Sequence, residues 1–430
     1  MLPVFLLKFF KTNKFRLDIF LTYVLVLVMP TQLAKHFWPQ SVLLNGLRVD
    51  YLSLNLSVVD IILLLLLGVF LYQVLSSKAK VVVYKPWLLL AVTIFLWNLL
   101  QLFWVPLQLS HLLFSMRLFV LILVSAFVSR IKWQEHIVAL LFFVQYVLLL
   151  LLSLMQISLG RSLQGIWYFL GERYLTISTP SIALAQVGQQ LWLRPYATFS
   201  HPNVLAGYVC LSLVFLLFWQ TKTVGQKMVQ LLAIGIGMLL ILLSFSQAAW
   251  FVLAMIVLMF LGKPFLKHLA DKGYSWFWFG LILISLLIPF LLLVLGNFFR
   301  AEELLVRNQL FETFWKALPK ALLGGYGWWG FLAKLPQSAN LVLNRSWLQP
   351  AHHVWWSLIG SVGLLPMVIL FFYHQKISLV FKSSFKSVAL LVTVMLLGSF
   401  DHYLITQQQT LVLLFFLIAW LVKSEKPAQT

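Results

Sequence analysis

The stretch VVDIILLLLLGVFLYQVL, residues 58–75, decides the class of fold. One charged residue, Asp60, stands at its start, and the rest is almost unbroken apolar side chain. About 20 such residues in a helix cross the hydrocarbon core of a bilayer. Runs of this kind recur near 17–34, 58–77, 86–107, 111–129, 136–158, 203–220, 226–243, 246–262, 276–296, 354–373, 387–404 and 408–422. They predict an all-α polytopic membrane protein of about twelve transmembrane helices, a single integral membrane domain over 1–430. Composition agrees. The chain is 62% hydrophobic and 10% charged, against roughly 45–50% and about 25% in soluble domains.

The net charge of +20 raises the question of nucleic acid. The basic residues form no patch, however. They sit in short connections between apolar runs, where the positive-inside rule expects them, and they predict no nucleic-acid partner. With the N-terminus inside, the cytoplasmic segments hold 19 Lys and Arg, and the outer ones hold 5 outside the longest loop. Both termini are expected in the cytoplasm. The first residues, MLPVFLLKFFKTNKFRLDIF, lack the order of a signal peptide and read as an interfacial leader. The lone cysteine, Cys210, lies inside an apolar run.

Two outer connections are long, 159–202 and 297–353, and long loops are where function concentrates. The extracytoplasmic loop 297–353 contains AEELLVRNQLFETFWKALPKALLGG, which reads as an amphipathic helix ended by Gly324-Gly325. Glu302 and Glu303 favour its N-terminus, and Glu312 and Lys316 pair along it. In the smaller loop, GIWYFLGERYL reads as a short interfacial segment.

LRPYATFSHPNVLAGY, residues 193–208, puts a polar cluster at the mouth of a span. Pro202 suits the first helical turn, with Ser200 or His201 as cap. Ser200, His201 and Asn203 can thus be explained by helix initiation. Arg194, taken alone, suits headgroup contact as well as a site.

The segment RPYATFSHPNVLAGY resembles the Arg-containing signature of the O-antigen ligase and polymerase superfamily. These are membrane glycosyltransferases that use polyprenyl-diphosphate-linked glycans. Three further segments match in order: LSFSQAAW (243–250), RNQLFETFWKALPKALLGGYGWWGF (307–331) and AHHVWWSLIGSVGLLP (351–366), and FDHYLITQQQ (400–409) is similar to a closing element. The O-antigen ligase-like region covers about 190–410.

The resemblance implies glycan transfer to an acceptor hydroxyl on the outer face of the cytoplasmic (inner) membrane. The acceptor is a glycan, lipid or protein, so ligase and polymerase both stay open. The implied transfer is inverting, with no cofactor and no metal. A diphosphate leaving group suits Arg, and a hydroxyl acceptor suits a His base. By match, Arg194 is the diphosphate Arg, His352 the catalytic His, His353 its Asn-position neighbour and Arg307 the loop-helix Arg. His201 and Asn203 join the substrate-binding set. Gln247 stands where the family has a second Arg, and Ser361 where it has an acid. Asp401 is therefore the candidate to orient His352.

Other residues have plainer expectations. Arg117 lies within a span, where an Arg makes a structural pair or walls a cavity. Asp60 is expected to pair with Arg48, and Arg307 to bridge Glu303. His402 is expected as a satisfied interfacial His. Trp328-Trp329 and Trp355-Trp356 suit an aromatic belt, or less readily sugar stacking. A non-catalytic relative and a membrane transporter are the alternatives.

Overall fold

The computed structural model describes residues 16–76, 85–262, 302–335, 348–366 and 385–424, with a few positions between 283 and 294 and residue 368. The expected leader, most of the 276–296 run, the second half of the 354–373 run and the polar tail lie outside the described residues. The chain is mostly helical. Its principal helices are α1 (Leu17–Val28), α2 (Val58–Ser76), α3 (Lys85–Gln101), α4 (Gln108–Val128), α5 (Glu135–Leu159), α6 (Pro202–Phe218), α7 (Val224–Leu243), α8 (Gln247–Leu261), α9 (Glu302–Ala317), α10 (Val354–Val362), α11 (Phe385–Phe400) and α12 (Gln408–Ser424). Among the described residues, α2, α4, α5 and α7 are long and apolar enough to cross a membrane. Six shorter helices, α1, α3, α6, α8, α11 and α12, are also apolar.

Three runs end earlier than their apolar length suggests. The first stops at Val28, two residues before Pro30, which cannot continue a helix. The chain then forms a strand, β1 (Ala34–Phe37), pairing antiparallel with β2 (Leu54–Ser57). The 86–107 run stops at Gln101, ahead of Pro106. The 387–404 run stops at Phe400, because Asp401 turns its carboxylate onto the His402 backbone N–H at 2.7 Å. The 159–202 loop holds a second ribbon, β3 (Leu184–Val187) with β4 (Gln190–Leu193). Gly188, at φ +62°, makes its tight turn.

Helix α6 forms the centre. It is buried along nearly its whole length and packs against α7, α8, α11 and α12. Its start follows the expectation, with Pro202 in the first turn and His201 Nδ1 accepting from Asn203 N at 3.1 Å. Gly207 lets Tyr403, in the one-turn helix Tyr403–Thr406, lie flat on α6. A Cβ at Gly207 would overlap the Tyr403 ring.

A second close contact fixes the large loop. Gly325 (φ +73°) and Gly363 (φ +78°) meet backbone to backbone, so neither has room for a Cβ. Tyr326 N and Gly327 N donate to Gly360 O and Ser361 O, each at 2.8 Å. Gln101 Nε2 donates to Gly324 O (2.7 Å) and Ser361 O (2.8 Å), and Trp104 Nε1 to Gly325 O (3.0 Å). This glycine junction joins the segment after α9 to the end of α10, and α3 clamps both.

Candidate functional site

The starts of α4, α6 and α12, together with the segments that follow α1 and α5 and precede α2, line a cavity of about 820 Å³. Both β1 and the 159–202 loop contribute to its wall.

The backbone of the 193–208 stretch is held by buried polar side chains. Gln156 Oε1 on α5 accepts from Tyr196 N and Ala197 N at 3.0 and 2.8 Å. Thr198 Oγ1 donates to Pro30 O at 2.8 Å. Gln156 Nε2 in turn donates to Glu172 at 2.7 Å, and Glu172 also accepts from Leu163 N. Buried carboxylates persist only when so satisfied. Sequence reasoning missed Glu172, because its partners, the Gln156 side chain and the Leu163 and Gln164 backbone amides, leave no pattern in the linear sequence.

Arg194 follows β4 directly and is buried at 9% exposure. Its Nε donates to Ser244 O at 2.9 Å, and one Nη donates to Asn203 Oδ1 at 2.7 Å. Asn203 Nδ2 reaches Asp401 Oδ2 at 3.3 Å. Asp401 Oδ1 lies 3.3 Å from His352 Nδ1 and 3.9 Å from His402 Nε2. The 3.3 Å approach is an ion-pair contact without strict hydrogen-bond alignment. A chain of side chains therefore runs from Arg194 through Asn203 and Asp401 to His352.

His201, Asn203, Arg307, His352, Asp401 and His402 line the cavity. Arg194, His353, Gln247 and Ser361 are not among its lining residues. Gln247 opens α8 and is exposed. Ser361 belongs to the glycine junction. His353 is 1% exposed and caps α10, its Nδ1 accepting from Trp356 N at 3.3 Å. Its Nε2 lies 2.9 Å from Ser285 O. Arg307 donates to Phe400 O at 3.4 Å.

The expected Asp60–Arg48 pair is corrected. Asp60 instead pairs with Arg117, Nε to Oδ1 and Nη to Oδ2, both at 2.8 Å. It also accepts from Ser57 and Gln408. Arg48 sits 6.0 Å from the Trp38 ring centroid. Arg117 thus resolves into a structural pair at the cavity wall. The Glu303 side chain lies outside the described ones.

His402 is also more than an interfacial residue. It stacks obliquely on His352, with ring centroids 4.9 Å apart, and its Nδ1 lies 2.9 Å from Thr406 Oγ1. The four tryptophans divide. Trp329 lines the cavity from a left-handed backbone (φ +66°), beside Phe114 and Tyr51. That conformation costs a bulky residue about 1–3 kcal/mol, so its neighbours must hold it. Trp328 is buried, its backbone N–H donating to His111 Nδ1 at 2.9 Å.

Electrostatics sort the ionisable groups. Burial pushes His201 down to about 3, helped by Arg194. It pushes His402 down to about 3 and His353 to about 4. For Asp401, burial acts to raise the carboxyl, but His352, His402 and Arg307 outweigh it and hold it well below the usual carboxylate range. At neutral pH a carboxylate therefore faces uncharged His201 and His402.

The resemblance implied no metal, but the fold brings two histidines and a carboxylate together. Nitrogen or oxygen atoms of His352, Asp401 and His402 all lie within 4.8 Å of one another. In comparisons with known proteins, no protein-family model and no curated protein matches the chain.

Proposed function

We propose that the chain is a membrane glycosyltransferase of the O-antigen ligase and polymerase kind. It moves glycan from a polyprenyl-diphosphate carrier to an acceptor hydroxyl at the outer face of the cytoplasmic membrane. The observation that carries this reading is convergence. Residues from four segments that resemble the superfamily's motifs (His201 and Asn203, Arg307, His352, and Asp401) line one cavity at one end of an apolar bundle.

The roles follow from position. His352 is the base. Asp401 faces its Nδ1, so Nε2 is the nitrogen left to take the acceptor's proton, and the carboxylate stabilises the imidazolium that results. The acceptor oxygen attacks the anomeric carbon, the sugar–oxygen bond breaks, and a lipid diphosphate departs. Arg307 is the cavity-lining cation for that diphosphate, since a planar fork suits phosphate oxygens. Arg194 is a positioning residue, acting through Asn203 and Asp401. Its two described hydrogen bonds already fix its guanidinium. The test is reconstitution in vesicles with a labelled polyprenyl-diphosphate glycan. Transfer that depends on His352 and Arg307 supports the reading. Wild-type protein that releases no lipid diphosphate, yet carries the intact lipid-linked glycan across the bilayer, overturns it in favour of transport.

A further inference from the structure

The cluster of His352, Asp401 and His402 has a chemistry that the transfer reaction does not use. We propose that these three side chains form a binding site for a divalent transition-metal cation of the Zn²⁺ class, and that an ion bound there switches His352 off as a base. The inference rests on the reading of His352 given above only for its second half. The site itself stands on geometry.

Two imidazoles and one carboxylate are a donor set that suits zinc and its neighbours, whereas magnesium and calcium take oxygen. Zinc bonds to nitrogen and oxygen are about 2.0–2.2 Å, so two ligand atoms in a tetrahedral site stand roughly 3.3 Å apart. His352 Nδ1 and Asp401 Oδ1 already have that spacing, at 3.3 Å. His402 Nε2 is 3.9 Å from the same oxygen and the three ligand groups lie within 4.8 Å of one another, so His402 must close by about 0.6 Å on Asp401 and by up to about 1.5 Å on His352, a side-chain adjustment.

Three observations favour an ion over an accidental cluster. First, His352 Nδ1 is buried and meets the Asp401 carboxylate at 3.3 Å without strict hydrogen-bond alignment. Buried polar atoms with such poorly aligned partners are uncommon, and a site for a bound ion is among their explanations. Second, His402 Nδ1 lies 2.9 Å from Thr406 Oγ1. A ligating His characteristically uses its other nitrogen to hold such a partner, which fixes the ring and directs the free lone pair at the metal. Here that lone pair, on Nε2, faces Asp401. Third, Asp401 and His402 are 8% and 5% exposed, while all three residues open on the cavity. Three protein ligands beside a cavity leave a fourth position for water or substrate, the arrangement of reactive metal sites and not of closed structural ones. Arg307 lines the same cavity and opposes a second cation. Its described bond is to the Phe400 carbonyl and not to the Asp401 carboxylate.

The consequence for the base follows from the imidazole's two nitrogens. A metal on Nδ1 leaves the ring's proton on Nε2. That nitrogen then donates and cannot accept, so the loaded site holds an acceptor hydroxyl but does not deprotonate it.

The experiment is zinc titration by calorimetry of the full-length protein, stripped with chelator and held in lipid nanodiscs, with no donor or acceptor present. Wild type should take up about one Zn²⁺ per chain and show no heat with Mg²⁺. His402→Ala and Asp401→Asn should each weaken binding by at least tenfold. Thr406→Val, which removes no ligand, should weaken it by about 10–100-fold. Thermal unfolding in chelator, run on each variant, separates a lost ligand from a lost fold. No saturable zinc binding in wild type, or binding unchanged in well-folded His402→Ala and Asp401→Asn, overturns the site. In a parallel transfer assay, chelated enzyme should be active and one equivalent of zinc inhibitory. Wild type that binds zinc but transfers no glycan would sink the transferase reading and leave the site standing. Wild type that transfers but binds no zinc would do the reverse.

Discussion

His352 and His353 are adjacent and chemically identical, yet the fold gives them opposite work. His353 is enclosed, with both nitrogens engaged in capping α10 and holding Ser285 O. His352 opens on the cavity with a carboxylate behind it. His352→Ala should therefore lower single-turnover transfer by about 10²–10⁴-fold, the usual contribution of a general base. Binding of the lipid donor should persist. His353→Ala should cost stability, about 0.5–2 kcal/mol for a lost cap, and much less of the chemical rate. A large rate loss in well-folded His353→Ala would move the base one residue along. The pH dependence has a definite sign. A base must be unprotonated, so transfer in chelator should fall on acidification. His402 stays neutral down to about pH 3, so its charge does not change between pH 5 and 8. His402→Gln should leave the acid limb where it is. A shifted limb would transfer the titrating role to His402.

At the scale of elements, Gly207 couples the central helix to the site. Its missing Cβ lets Tyr403 pack on α6, and Tyr403 begins the turn that follows Asp401 and His402. Gly207→Ala should destabilise by about 1–3 kcal/mol through overpacking and should lower transfer by displacing Asp401. Adding Tyr403→Leu should return part of both losses, with a coupling of about 0.5–3 kcal/mol. Strict additivity would show that the ring and the glycine are not in contact. Such contacts mark where sequence stops being legible. The helices could be read because each is an apolar run, four of them (α2, α4, α5 and α7) long enough to cross a membrane among the described residues, and Pro30 and Pro106 clip two others for local reasons. The glycine junction could not be read. GGYG announces a turn, but its partners are Ser361 and Gly363 on another segment and Gln101, 223 residues from Gly324. Part of the cavity lining was legible, at His352, Arg307 and Asn203, which the resemblance had singled out. It was not legible at Thr406, Gln408 or Glu172, whose roles arise from spatial neighbours. Arg194 was found, but its side chain turns to Ser244 O and Asn203, which no linear pattern foretells.

At the scale of the molecule, the cavity end carries both signs of charge: Asp50, Asp60, Glu172 and Asp401 stand there beside Arg117, Arg173, Arg194 and Arg307. The other end, where α4 and α12 finish and α5 begins, carries Arg130, Lys132 and Lys423. There Lys423 donates to Trp133 O, and Trp420 Nε1 donates to Glu135 at 2.9 Å. Lys222 and Lys227, at the start of α7, belong to the same end by the alternation of helices. Short basic connections are expected in the cytoplasm, and the proposed function requires the cavity on the opposite, outer face. Cysteine labelling tests it against a quiet background, because the native thiol of Cys210 is fully buried. Gln189, exposed at the tip of the β3–β4 hairpin, reports the cavity end, and Thr223, exposed before α7, reports the other. In intact cells Gln189→Cys should react with a membrane-impermeant maleimide, while Thr223→Cys should react only after permeabilisation. Equal labelling of both in intact cells would mean that the bundle does not span. The reverse pattern would turn the cavity inward, where a donor presented on the outer leaflet cannot reach His352.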